Sequence, residues 1–172
     1  MPALTTPFQA DGDIDEKSFQ LNVERLLGSG ASGVVAGGCT GEFWALSHDE
    51  RKHLYHLAKE AVGDAGTLIV GTGAVTEDET VALTREAEEV GCDGALILPP
   101  YFVQLTDDEI FGHYAAVSDA VGIPILLYNI PGNAVNELTP PLVGRLAELE
   151  RVVAIKESSG DWNNYYATYL EV

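Results

Sequence analysis

This chain is short of positive charge. It has 9 lysines and arginines against 27 aspartates and glutamates, a formal net charge of −18. That deficit speaks against nucleic acid and anionic membranes as partners, since both ask for basic patches. The surplus acid reads as a well-solvated surface. With lysine so scarce, adaptation to high salt is the sharper alternative. Long apolar runs are missing too, and none approaches the ~18 residues of a membrane span. The opening, MPALTTPFQADGD, has no basic stretch leading into an apolar one, so it does not read as a secretory leader. Cysteine is limited to Cys39 and Cys92. Two give no disulfide framework and no paired zinc motif, and a reducing cytoplasm is the simplest setting.

What is present is regular. Of 172 residues, 46% are hydrophobic, enough for one domain with a real core. Short apolar runs recur: GVVAG (33–37), TLIVG (67–71), GALILPP (94–100), IPILLYN (123–129) and VVAIK (152–156). They lack polar alternation, as strands covered on both faces of a parallel sheet do. PALTTPF offers a weaker strand at the start, for six in all. The segments between look helical. SHDERKHLYHLAKEAVG (47–63) has Ser47 as a cap and Glu50 three residues on, a capping box. TEDETVALTREAEEVG (76–91) repeats this with Thr76, Glu79 and a terminal Gly91. TDDEIFGHYAAVSDAVG (106–122) does so again. TPPLVGRLAELE (139–150) places prolines in a first turn, where their missing N–H costs nothing. Such alternation fits an open doubly wound sheet or a (β/α)₈ barrel. Length alone favours the open sheet, because barrels run to ~250 residues.

In either architecture ligands bind beyond the carboxyl ends of the strands. The unusual residues lie there. Lys156 ends an apolar strand. A lysine attacks a carbonyl only as the neutral amine, and apolar surroundings lower its pKa toward that form. The plainer possibility is a lysine that snorkels to solvent or pairs with Glu157. Tyr128 closes the preceding strand, where its phenol could move a proton or simply fill the core. GGCTGE (37–42) packs small residues and the Thr40 hydroxyl into a turn that could hold a carboxylate, or that is glycine-rich for its backbone angles alone. Cys39 could be a nucleophile, yet the sequence assigns it no base. GTGAVT (71–76) lacks a complete phosphate-binding fingerprint and precedes three acids, so it reads as a turn. His53 and His56 stand three apart on a helix with no further ligand set, which favours a polar helix face over a metal site.

Together, TTPFQADGDID, GGCTGEFWALSHDER, YNIPGN and AIKESSGD resemble the signatures of the dihydrodipicolinate synthase / N-acetylneuraminate lyase family of class I aldolases. The resemblance runs along essentially the whole chain, and it stops just after the lysine strand. It implies an α/β fold of the TIM (β/α)₈ barrel type, with about six of eight βα units present, so residues 1–172 would form a single partial barrel, inactive alone or in need of partners. It implies no cofactor and no metal. Lys156 would form a Schiff base with the ketone of pyruvate or another small 2-oxo acid. Tyr128 would donate and accept the proton. Thr40 would bind the substrate carboxylate, with Cys39 beside it where the family usually has a hydroxyl relay. It further implies a homo-oligomer, dimer or tetramer. Phe102 stands where the synthases carry a second tyrosine, and Asn133 where they place an arginine for the second substrate. Those departures leave room for a sugar-acid dehydratase or a 2-keto-3-deoxy sugar-acid aldolase of the same family. A binding module without turnover is the alternative outside the enzymes.

Overall fold

The computed structural model describes residues 1–172. Its elements alternate as the apolar runs predict. In chain order they are α1 (Glu16–Gly28), β1 (Gly33–Ala36), α2 (His48–Val62), β2 (Thr67–Gly71), α3 (Glu77–Val90), β3 (Gly94–Ile97), α4 (Asp107–Ala120), β4 (Ile125–Asn129), α5 (Pro131–Ala134), α6 (Pro140–Leu146), β5 (Val152–Glu157) and α7 (Trp162–Glu171). The strands form one sheet in the order β1-β2-β3-β4-β5. The chain divides into two compact units: Met1–Thr72 with Glu86–Ala95, and Gly73–Arg85 with Leu96–Val172.

In the first unit, β1 and β2 pair in parallel from Gly33–Thr67 to Ala36–Val70. The expected first strand shrinks to two isolated bridges, Ala3 with Val35 in parallel and Phe8 with Ile14 antiparallel. Pro2 and Pro7 adjoin them and have no N–H to give to a ladder, so five strands form where six were expected. α1, which the apolar runs did not announce, is capped by Asp15, whose carboxylate accepts the Ser18 N–H at 3.1 Å. It buries Phe19 and Val23 completely. α2 starts on the capping box: the Ser47 N–H donates to Glu50 Oε2 at 2.7 Å, and the Glu50 N–H returns to Ser47 Oγ at 3.3 Å. The Ser47 hydroxyl, which donates to the same carboxylate at 2.7 Å, and the Ser47 N–H hold the Glu50 carboxyl below its ordinary pKa. GTGAVT begins on the last residue of β2 and runs through irregular chain into a bend before α3. A Cβ on Gly71 would lie 2.1 Å from the carbonyl oxygen of Gly37. The Gly71 carbonyl meanwhile accepts from Arg51 Nη2 at 2.9 Å and from the Tyr55 hydroxyl at 2.8 Å. Both donors are buried, and burial pushes the Tyr55 phenol up to about 12. Cys92 is a free buried thiol, pushed up to about 12 by the same cause. His53 Nε2 meets Glu16 at 2.7 Å and His56 Nε2 meets Glu86 at 3.4 Å, so each ring has its own carboxylate.

In the second unit, α4 carries the same box, Thr106 with Glu109. It buries Ile110, Tyr114 and Val117, and the Tyr114 hydroxyl donates to the Ile97 carbonyl at 2.9 Å. α6 stops at Leu146, earlier than the 139–150 pattern suggests. β4 and β5 pair in parallel, with a register shift between Ile125 and Leu126. β4 is sealed: Ile125, Leu127 and Tyr128 are all under 5% exposed. β5 is not. Val153 is 61% exposed, and no residue of β5 is fully buried. The sequence implied a strand covered on both faces; the structure corrects that. β5 is the last strand in the order of the sheet.

Candidate functional site

Tyr128 and Lys156 meet in the second unit. The parallel register sets Tyr128 opposite Lys156 and Asn129 opposite Glu157. Side chains alternate along a strand, so the first pair shares one face of the sheet and the second pair shares the other. Lys156 Nζ lies 4.1 Å from the centroid of the Tyr128 ring, over its face. An amine there is attracted by the ring quadrupole as the ammonium. The buried ring also gives it an aromatic floor when neutral. Lys156 itself is only half-buried, so the desolvation expected of this strand is partial. Glu157, the alternative partner for the lysine, is engaged elsewhere. Its carboxylate accepts from Asn129 Nδ2 at 2.8 Å, Asn164 Nδ2 at 3.0 Å and the Ser159 N–H at 2.6 Å.

Cys39 and Thr40 lie in the first unit, on a 3₁₀ turn spanning Cys39–Gly41. The Gly41 N–H donates to the Gly38 carbonyl at 3.0 Å and the Glu42 N–H to the Cys39 carbonyl at 3.1 Å. Those two N–H groups are committed to the turn, which narrows the expected carboxylate cradle to the exposed Thr40 side chain and the remaining amides. Cys39 is a free, half-buried thiol. The turn is fixed from below. Buried Thr6 donates its hydroxyl to the Gly41 carbonyl at 2.7 Å, and Glu42 takes a left-handed conformation with φ 56°.

The loop after β3 carries Tyr101 and Phe102. Phe102 is 86% exposed and holds φ at 75°. Buried Asn136 fastens this loop: its Nδ2 donates to the carbonyls of Pro100 at 2.6 Å and Val103 at 2.8 Å, and its Oδ1 accepts from the Leu105 N–H at 2.9 Å. Asn133, on α5, is exposed. Thr6, Asn129 and Asn136 were missed by motif reading. The available signal was a polar residue placed within or just after an apolar run, which buries only if something satisfies it.

Comparison with known proteins decides the kinship. The profile of the dihydrodipicolinate synthetase family matches residues 1–172. The chain belongs to the dihydrodipicolinate synthetase family. It is 39% identical over 170 residues to the 4-hydroxy-tetrahydrodipicolinate synthase of Rhodospirillum centenum, covering 99% of this chain and 58% of that protein. It is 42% identical over 159 residues to the synthase of Methanothrix thermoacetophila, covering 92% of this chain and 53% of that one. Among solved structures, dihydrodipicolinate synthase from Aquifex aeolicus superposes with a TM-score of 0.95 at 32% identity, over 99% of this chain and 58% of its own. A prophage protein of the family from E. coli K12, solved in complex with pyruvate, gives 0.97 at 29% identity, over 99% of this chain and 58% of its own. Family members of this kind are TIM barrels, and the chain has their α/β architecture with a parallel five-stranded sheet as a partial barrel. The chain spans rather more than half the length of the curated relatives it matches.

Proposed function

We propose that this chain carries the Schiff-base half of a lyase acting on pyruvate or another small 2-oxo acid. The observation that carries the reading is the Tyr128–Lys156 pair, register partners with the amine 4.1 Å from the ring centroid. Lys156 attacks the ketone carbon as the free amine. The carbinolamine loses water, taking a proton to the departing hydroxyl, and leaves an iminium. The iminium accepts the electron pair released when an adjacent C–H or C–C bond breaks, and Tyr128 moves the proton. Within the first unit, the exposed Thr40 hydroxyl is the group suited to a carboxylate, with Cys39 next to it on the turn. A synthase condensation is the finer reading that the named relatives support. The identities of Phe102 and Asn133 keep a sugar-acid dehydratase or aldolase in play, since both are exposed and both differ from the synthase pattern.

A second reading is favoured by one observation. With Lys156 half-buried and Ala154, two residues before it on the same face, exposed, water reaches the lysine, and an iminium open to water hydrolyses before it can react. The chain would then capture the oxo acid without turning it over. Borohydride reduction in the presence of pyruvate tests both. Reduction should fix the pyruvate-derived adduct to Lys156 in wild type and nowhere in Lys156→Ala, read by peptide mass. Trapping with no product marks capture alone; a folded protein that traps nothing removes the lysine chemistry altogether.

A further inference from the structure

The pair on the opposite face of the same two strands has a job. We infer that Asn129 and Glu157 are positioning residues, a latch that sets Lys156 against Tyr128; this rests on the Schiff-base reading above.

The need for a latch comes from β5. Register is strongly specified where one face of a strand is buried and weakly where it is not. β5 is half-exposed along its length. Its register has already shifted once: Ile125 pairs with Val152, yet Leu126 pairs with Ala154, so Val153 is passed over. One more such step would move Lys156 to the far face and put its neighbour beside Tyr128. Apolar packing at this exposed end does little to prevent that.

Polar bonds do prevent it, one residue beyond the reactive pair. Asn129 is 0% exposed and clamped to Leu138. Its Oδ1 accepts the Leu138 N–H at 3.0 Å, and its Nδ2 donates to the Leu138 carbonyl at 3.3 Å. The other Nδ2 hydrogen goes to Glu157 Oε2 at 2.8 Å. Main chain joins main chain beside it, the Ser158 N–H donating to the Asn129 carbonyl at 2.8 Å. Glu157 is therefore fixed to β4 through an amide that cannot itself move. Its remaining acceptor capacity takes the Ser159 N–H and Asn164 of α7. Every donor around this carboxylate is neutral. A glutamine there would turn an NH₂ toward at least one of them and lose the bond, with almost no change in volume.

Glu157→Gln is accordingly the diagnostic variant, and Asn164→Ala its control. The control removes a donor to the same carboxylate from α7 while leaving the Asn129 bond. Two readouts are taken on the full chain, beside thermal melts. The first is the pH profile of pyruvate trapping at Lys156. The second needs no substrate: acetic anhydride labelling of Lys156 relative to exposed Lys17, over about pH 6 to 10. Glu157→Gln should trap about 10- to 100-fold more slowly, the range that small misplacements of a reacting group produce, with its pH midpoint displaced and its labelling ratio moved toward one. Asn164→Ala should stay within about twofold of wild type in both readouts, whatever its melting temperature. Equal losses in the two variants, or a Glu157→Gln protein that behaves like wild type, would overturn the latch. If wild type itself traps nothing, the lyase reading fails, and the latch stands or falls on the labelling ratio alone. Should Glu157→Gln not fold, Asn129→Ser, which withdraws the reach to Glu157, is judged on that same ratio.

Discussion

β4 and β5 are neighbours that each open on an apolar run, ILLYN against VVAIKE. One is sealed and the other is open. Leu127 is 1% exposed, whereas Val153 is 61% exposed. Both strands read as apolar runs, and each carries one of the proposed reactive side chains, Tyr128 and Lys156, near the same end. The difference shows that an apolar run specifies a strand but not its cover. Cover comes from whichever elements pack against it. On the latch inferred above, the position of Lys156 in β5 rests on hydrogen bonds at one end rather than on burial along the length.

The largest break in that comparison is a pair of truncations. Leu127→Ala should cost about 2–5 kcal/mol, the range for emptying a packed site. Val153→Ala should change stability by less than about 0.5 kcal/mol, as exposed positions do. Urea titrations of the two variants measure this directly, and similar losses would mean that β5 is covered after all.

Acid attacks a buried group of α4. His113 on α4 is buried, its Nε2 has no hydrogen-bond partner, and burial lowers its pKa from 6.5 to about 4. The unfolded chain takes up this proton near its ordinary value, whereas the folded chain resists until about pH 4. Stability from the neutral ring is thus complete above the unfolded pKa and falls away as pH drops toward the folded one. The loss over that window is about 3 kcal/mol at 1.36 kcal/mol per unit. In His113→Leu the stability lost between about pH 7 and pH 4 should be smaller by that amount, whichever way its stability at neutral pH moves.

A smaller effect is expected at the fastened loop. Asn136→Ala leaves the Pro100 and Val103 carbonyls and the Leu105 N–H without their partner, which should cost about 1–3 kcal/mol. Chymotrypsin should then cut after Phe102 faster than in wild type, because the loop that presents this exposed ring is no longer held. An unchanged cleavage rate would show that the left-handed backbone at Phe102 is maintained by something else. The smallest effect belongs to the open side. Trp162 is 73% exposed and stacks only on Tyr165, with centroids 5.1 Å apart. Trp162→Ala should shift the urea midpoint by less than about 0.5 kcal/mol equivalent.

The sequence carried the strands because their apolar runs are long enough to need cover and bounded by glycine and proline. It carried α2, α3 and α4 because Ser47, Thr76 and Thr106 each precede a glutamate at the right spacing. α1 escaped notice because its buried stripe is thin, centred on Phe19 and Val23 inside an acid-rich stretch. Lys156 and Tyr128 were visible as polar groups ending apolar strands, and the structure puts them together. The bonds among Asn129, Leu138, Glu157 and Asn164 were not visible. Each joins residues from separate elements, and no local pattern of residue types encodes a partner that the fold must bring. Exposure of β5 was hidden for the same reason, since it is a property of neighbours.

The close approach of Gly71 to the Gly37 carbonyl has a bearing on how this gene can drift. Any missense change at codon 71 adds a Cβ, and the space for one is already occupied by backbone oxygen. A saturation library at this position should return glycine almost alone, whatever activity is selected. Substitutions accumulating along the open face of β5 would leave that codon unmoved.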